Sequence, residues 1–131
     1  IRDRLHTDGA VNTKTGKVGI GFVVAGDSLY HQVAQPIVGH YNNHTAEFLA
    51  IQYALEWLID NQLTDQMVFL QTDSKVAADV LQKEFTKNTD YLPYLETILT
   101  LKKQFPILEF IWVPEKNNRG ADNLAKQALR Q

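Results

Sequence analysis

Short apolar runs separated by turn residues fill the first third of the chain, and longer apolar stripes fill the rest. Residues 5–11 predict a first strand that contains Asp8. The polar stretch Asn12-Thr13-Lys14-Thr15-Gly16-Lys17 has turn composition. Residues 18–24, with glycines at 19 and 21, predict a second strand, and Gly26-Asp27 is a hairpin-turn signal before a third strand over 29–38. Three strands with short turns imply an antiparallel meander. The pattern then changes. Asn43 or Thr45 is placed to cap a long, strongly apolar helix over 46–61. Residues 67–70 form a short apolar run ending in Gln71-Thr72-Asp73, a buried strand with a polar carboxyl end. A helix over 74–85 carries Val76, Ala77, Val80 and Leu81 on one face. Asp90 caps another, with Pro93 in its first turn and Leu92, Leu95, Ile98 and Leu99 as its stripe. Residues 107–113 predict a fifth strand, ended by Pro114. Asn118 caps a last helix whose Ala121, Leu124, Ala125 and Ala128 fall at i, i+3, i+4 and i+7. The order βββαβααβα implies an α/β fold, a mixed sheet with helices on its faces.

That pattern shows no internal repeat and no linker, so the expectation is one domain over residues 1–131. No apolar stretch is long enough to span a bilayer, so no membrane partner is expected, and no signal-peptide pattern opens the chain. The start at Ile1 rather than Met fits a processed product or a piece of something longer. The absence of cysteine removes disulfides and zinc-thiolate sites and fits a cytoplasmic location.

Four acids stand in small signatures of their own. They are Asp8 in His6-Thr7-Asp8-Gly9, Glu47 in Thr45-Ala46-Glu47-Phe48-Leu49-Ala50, Asp73 in Gln71-Thr72-Asp73-Ser74, and Asp122 in Asn118-Arg119-Gly120-Ala121-Asp122-Asn123-Leu124-Ala125. Two fall in or after strands, and two in the first turn of predicted helices. Taken singly, an acid early in a helix is a dipole-stabilising surface group, and an Asp after a strand is a turn former. If the first and fourth strands are central, however, Asp8 and Asp73 become neighbours, where an open α/β sheet collects its ligands. Converging carboxylates repel one another unless a cation sits between them. Oxygen-only donors suit Mg²⁺ or Mn²⁺ rather than zinc. The charge balance changes with this reading. The net charge of −2 is unlike that of a nucleic-acid binder. With the four acids set aside, 11 acids remain against 13 bases, a balance of +2. This permits a polyanionic partner, and charge alone equally allows a domain with none.

The four segments, in this order and across nearly the whole chain, resemble those of type 1 ribonuclease H. The matching motifs are the Asp-Gly of the first strand, Ala-Glu-x-x-Ala in a helix, Thr-Asp-Ser after a strand, and Asn-x-x-Ala-Asp-x-Leu-Ala at the last helix. The resemblance implies a five-stranded sheet of order 3-2-1-4-5 and endonucleolytic cleavage of the RNA strand of an RNA–DNA hybrid. It implies two Mg²⁺ ions, or Mn²⁺, among Asp8, Glu47, Asp73 and Asp122, with Asp8 and Asp73 the central ligands and the other two peripheral. It also implies substrate contacts. Asn43, His44 and Asn12 would contact the hybrid, the asparagines beside a ribose 2′-hydroxyl. Gly9 and Ala10 would allow close backbone approach. Asn118 and Ser74 would hold phosphate or orient the acids. As turn and cap formers, Asn12, Asn118 and Ser74 have an equally local explanation.

The chain departs from the family in two places. The loop before the last helix, Pro114-Glu115-Lys116-Asn117-Asn118, lacks the histidine that many members carry. No dense basic block stands between Asp73 and the fifth strand, where Lys83, Lys87, Lys102 and Lys103 are spread among acids. Weaker, salt-sensitive binding is therefore expected from a monomer, with another domain or protein assisting the grip. Two further readings stay open: a ribonuclease H domain of a reverse transcriptase or retroelement, and a non-catalytic nucleic-acid-binding domain of the same fold.

Overall fold

The computed structural model describes residues 2–131. Its strands are β1 (Arg2–Val11), β2 (Val18–Ala25), β3 (Tyr30–Ile37), β4 (Met67–Thr72) and β5 (Ile107–Trp112). Its helices are α1 (Asn43–Asp60), α2 (Lys75–Lys83), α3 (Leu92–Lys102) and α4 (Arg119–Leu129), with a 3₁₀ turn at Glu115–Asn117. The order βββαβααβα is the expected one. So is the sheet, β3-β2-β1-β4-β5. Strands β1 to β3 form an antiparallel meander, and β4 and β5 run parallel to β1. The backbone bond from Gly26 to Leu29 (2.8 Å) closes the β2–β3 turn.

Strict alternation along β2 divides the molecule into layers. Ile20, Phe22 and Val24 are fully or almost fully buried on the α1 side. There they join Leu5, Phe48, Leu55, Val68, Leu70 and Ile98 in the main core or lie beside it. Each large apolar side chain buried this way contributes about 1.5–3 kcal/mol. The intervening residues of β2 face α4. A Cβ at Gly21 would lie 2.5 Å from the Ala125 nitrogen and 2.6 Å from the Ala121 carbonyl oxygen. Glycine on the strand and alanine on the helix therefore set how closely α4 can approach.

Several boundaries differ from expectation, each for a local reason. Helix α1 starts at Asn43, capped by Asn42 rather than by Asn43 or Thr45. Asn42 Oδ1 accepts from the Thr45 amide and Thr45 Oγ1 from the Asn42 amide, both at 2.9 Å. This reciprocal pair adds most of a turn, so Glu47 sits in the second turn, not the first. Helix α2 stops at Lys83 because Glu84 takes a left-handed conformation (φ 56°). Helix α3 is preceded by Tyr91, with no side-chain cap from Asp90, although Pro93 lies in its first turn as expected.

Candidate metal centre and nucleic-acid groove

Parallel pairing of β1 and β4 brings Thr7 opposite Thr72. The next residues, Asp8 and Asp73, therefore emerge side by side at the carboxyl end of the sheet centre. Helix α1 delivers Glu47 from above. The Gly9 amide donates to Glu47 Oε1 in a very short hydrogen bond. That contact needs glycine, because a Cβ at position 9 would overlap the Ala46 carbonyl. Gly9 thus serves the packing of α1 on β1 as well as standing on the groove wall. One oxygen each of Asp8, Glu47 and Asp73 lies within 4.8 Å of the others. Glu47 is therefore as central as the two aspartates. Asp122 lies outside that group, and its Oδ2 pairs with Lys126 Nζ at 2.9 Å.

Crowding has an electrostatic cost. Asp8 and Glu47 are only 7% and 8% exposed. Burial, then hydrogen bonding with and repulsion from Glu47, hold Asp8 far above the usual carboxylate range, with smaller contributions from Asp73 and Asp122. Burial pushes Glu47 up to about 7 despite the hydrogen bonds from Asp8 and Gly9 that favour its charge. Asp73 is raised as well, by burial first, while Glu47 and Asn118 favour its ionised form. Three carboxylates in hydrogen-bonding range with no cationic side chain among them form a hard, all-oxygen donor set. Its chemistry fits a divalent cation such as Mg²⁺ or Mn²⁺.

The acids floor a groove of about 590 Å³. Gly9, Ala10, Asn43, His44 and Ser74 line it, joined by Lys75, Val76 and Glu115. Ser74 also caps α2, accepting from the Ala77 amide at 3.1 Å. Asn12 is not in the groove. Its Oδ1 accepts from the Lys14 and Thr15 amides (3.0 and 3.3 Å), making it the turn former of the first hairpin. Asn118 is not on the groove surface either, being 1% exposed. Its Nδ2 donates to the Thr7 carbonyl at 2.8 Å, and its Oδ1 lies 3.2 Å from His6 Nδ1. Asn118 stands at the N-cap of α4, its carbonyl accepting from the Asp122 amide at 3.1 Å, but its side chain makes no cap bond and instead ties the start of α4 to β1 immediately before Asp8. Lys116 and Arg119 border an adjoining pocket with Glu115 and Asp122.

Sequence reasoning passed over three members of this arrangement. His6 carried a signal, two residues before Asp8 and so on the same strand face. Lys126 carried one too, four residues after Asp122 on a helix. Lys75 had none beyond adjacency to Ser74.

The reverse-transcriptase-like family model matches residues 6–128. EbsB of Enterococcus faecalis, named as a candidate hydrolase, is 38% identical over 128 residues, covering 98% of this chain and 94% of that one. The crystal structure of ribonuclease H1 from the archaeon Halobacterium salinarum superposes with a TM-score of 0.88 at 28% identity, over 99% of this chain and 98% of that one. LC11 ribonuclease H1, from a compost metagenome, was solved in complex with an RNA/DNA hybrid and matches at a TM-score of 0.86. It is 27% identical, over 98% of this chain and 96% of that one. With fold, acids and likenesses agreeing, the chain belongs to the reverse-transcriptase-like family and, within it, to type 1 ribonuclease H.

Proposed function

We propose that this chain hydrolyses the RNA strand of RNA–DNA hybrids, with divalent cations held by Asp8, Glu47 and Asp73 and by Asp122 at the edge. The observation that carries the reading is the convergence of three carboxylates within 4.8 Å in a groove. The likeness to an enzyme solved on an RNA/DNA hybrid supports the choice of substrate. Mg²⁺ is the first choice of ion and Mn²⁺ the second, because both prefer carboxylate oxygens. Bound there, such ions would neutralise phosphodiester charge and make water acidic enough to attack.

The chain's own groups have distinct tasks. Asp8, Glu47 and Asp73 supply the ligand oxygens. The Gly9 amide fixes the Glu47 carboxylate, and Asn118 favours the ionised form of Asp73. Asn43 and His44, exposed on the groove wall beside Glu47, offer hydrogen bonds to a ribose 2′-hydroxyl. Glu115 is the carboxylate that the loop before α4 turns to the groove, where many family members carry a histidine. Every one of these groups comes from a single chain, so the acidic centre is complete without a residue from a second copy.

The test is cleavage of an RNA–DNA hybrid, double-stranded RNA and double-stranded DNA in Mg²⁺ and in Mn²⁺. Only the RNA of the hybrid should be cut, and Asp73→Asn should lower the rate by roughly 10³-fold or more. Tight hybrid binding with no cleavage under either ion would sink this reading.

A further inference from the structure

We propose that Trp112 and Lys75 form a second contact surface for the hybrid, a backbone-binding platform that continues the acidic groove and ties substrate grip to Asp73. The inference rests on the hybrid-cleaving function and names where the duplex is held beyond the scissile bond.

Trp112 ends the edge strand β5, opposite Thr72 and so beside the acidic centre. It is 40% exposed. Its position is nevertheless fixed at both ends. Its Nε1 donates to the Asp73 carbonyl oxygen at 3.2 Å, and Lys75 Nζ stands 4.9 Å from its ring centroid. The pair borders a shallow groove of about 580 Å³. Lys75 and Val76 line both this groove and the acidic one, so the two adjoin.

Charge decides what that surface accepts. The acid on the groove wall, Asp79, is engaged by Lys83 at 3.1 Å. Lys75 makes no ion pair among the described residues. Its charge therefore stands unmatched above an aromatic face, next to a centre whose acids repel phosphate until cations arrive. A cation over an exposed indole matches a sugar–phosphate backbone, with the phosphate on the ammonium and the sugar on the ring. The chain lacks a dense basic block elsewhere to supply this grip. The indole N–H gives the platform a second effect. A backbone pressed onto Trp112 bears on the carbonyl of Asp73 itself, making Trp112 a positioning residue.

The test compares steady-state cleavage of a hybrid by the full chain with that by Lys75→Gln, Trp112→Ala and Trp112→Phe. Lys75→Gln and Trp112→Ala should raise KM roughly five- to tenfold. Lys75→Gln should also flatten the slope of log KM against log salt by about one. Trp112→Phe keeps the face and loses the N–H, so it should lower kcat with KM near wild type. In a Trp57→Phe background the remaining Trp112 fluorescence should be quenched by hybrid. Melting temperatures identify any variant that has lost its fold, and the exposed Lys75→Gln then carries the test alone. If Lys75→Gln and Trp112→Ala retain wild-type KM and salt slope while the wild type cuts hybrid, the platform is overturned, the surface serves some other partner such as a peptide, and the hybrid-cleaving function stands. A wild type that neither binds nor cuts hybrid overturns both.

Discussion

Helices α1 and α4 each bring one acid to the same groove, from opposite faces of the sheet, in opposite circumstances. Glu47 sits in the second turn of α1, 8% exposed, held by a backbone amide and crowded by Asp8 and Asp73. Asp122 sits in the first turn of α4, its side chain 21% exposed, with Lys126 one turn along as its ion partner. Desolvation rules the first region, solvent and a neighbouring cation the second. The same residue class, arriving from similar sequence signatures, thus has two energetic roles. Glu47 needs a cation to be tolerated as a charge; Asp122 already has one.

The largest predicted effect breaks this comparison by neutralising each acid in turn. Glu47→Gln should lower kcat by roughly 10³-fold, and Asp122→Asn by only about 10- to 100-fold, because the central group loses a ligand oxygen and the edge loses a supporting charge. Without divalent ions the order of stability reverses. Glu47→Gln should melt higher than wild type at neutral pH, since it removes a buried, repelled charge, while Asp122→Asn should not. Equal kinetic losses for the two variants would show that the two acids share one role.

Next in size is the glycine that seats Glu47. Gly9→Ala forces a Cβ into the Ala46 carbonyl and should cost about 3 kcal/mol of stability as α1 lifts from β1. Gly16→Ala is the matched control. Its φ of 75° disfavours a side chain, but nothing lies within 4 Å, so about 1 kcal/mol is expected. Chemical denaturation separates the two, and a Gly9→Ala no worse than Gly16→Ala would remove packing as the reason for Gly9.

These positions also mark how far sequence carries. Element order, crossovers and the acids were legible because each is written locally, in apolar runs, turn dipeptides and short motifs, whereas the strand order followed only from the family resemblance that those motifs carry. The offset of Glu47 into the second turn came from the Asn42–Thr45 capping pair, which lengthened α1 past the residues the pattern favoured. Asn118 was out of reach for a different reason. A helix-start asparagine signals a cap, yet its amide is drawn to the Thr7 carbonyl 111 residues away, a partner only the folded sheet provides. Asn12 went the other way, its side-chain Oδ1 accepting from amides two and three residues onward, so its local meaning as a turn former held.

A smaller effect comes from pH. An acid whose folded pKa is raised binds its proton more tightly folded than unfolded. The associated stability is present at low pH and is lost as pH rises from the ordinary value of 4.5 through about 7 for Glu47. Asp8 continues the loss at higher pH. The protein held in a chelator should therefore lose about 2 kcal/mol between pH ~5 and ~8, and Mg²⁺ should restore more of its melting temperature at the higher pH. Asp8→Asn should flatten both dependences. A Mg²⁺ stabilisation that is equal at the two pH values would detach it from these carboxylates.

The smallest effect tests the other half of the comparison. Lys126 is exposed and tethers Asp122 across one helical turn. Such pairs are weak in water and screened by salt, so Lys126→Gln should leave the melting temperature nearly unchanged. Its consequence lies in the freed carboxylate. With the ammonium gone, the Asp122 oxygen no longer chooses between a side chain and a cation in the groove. The Mg²⁺ concentration for half-maximal cleavage should therefore fall by about twofold at low salt, and the difference should vanish at high salt as screening replaces the missing tether. A rise in that concentration would mean that Lys126 aims Asp122 toward the centre. Asp122 would then be a positioned ligand like Glu47, held by a cation where Glu47 is held by an amide.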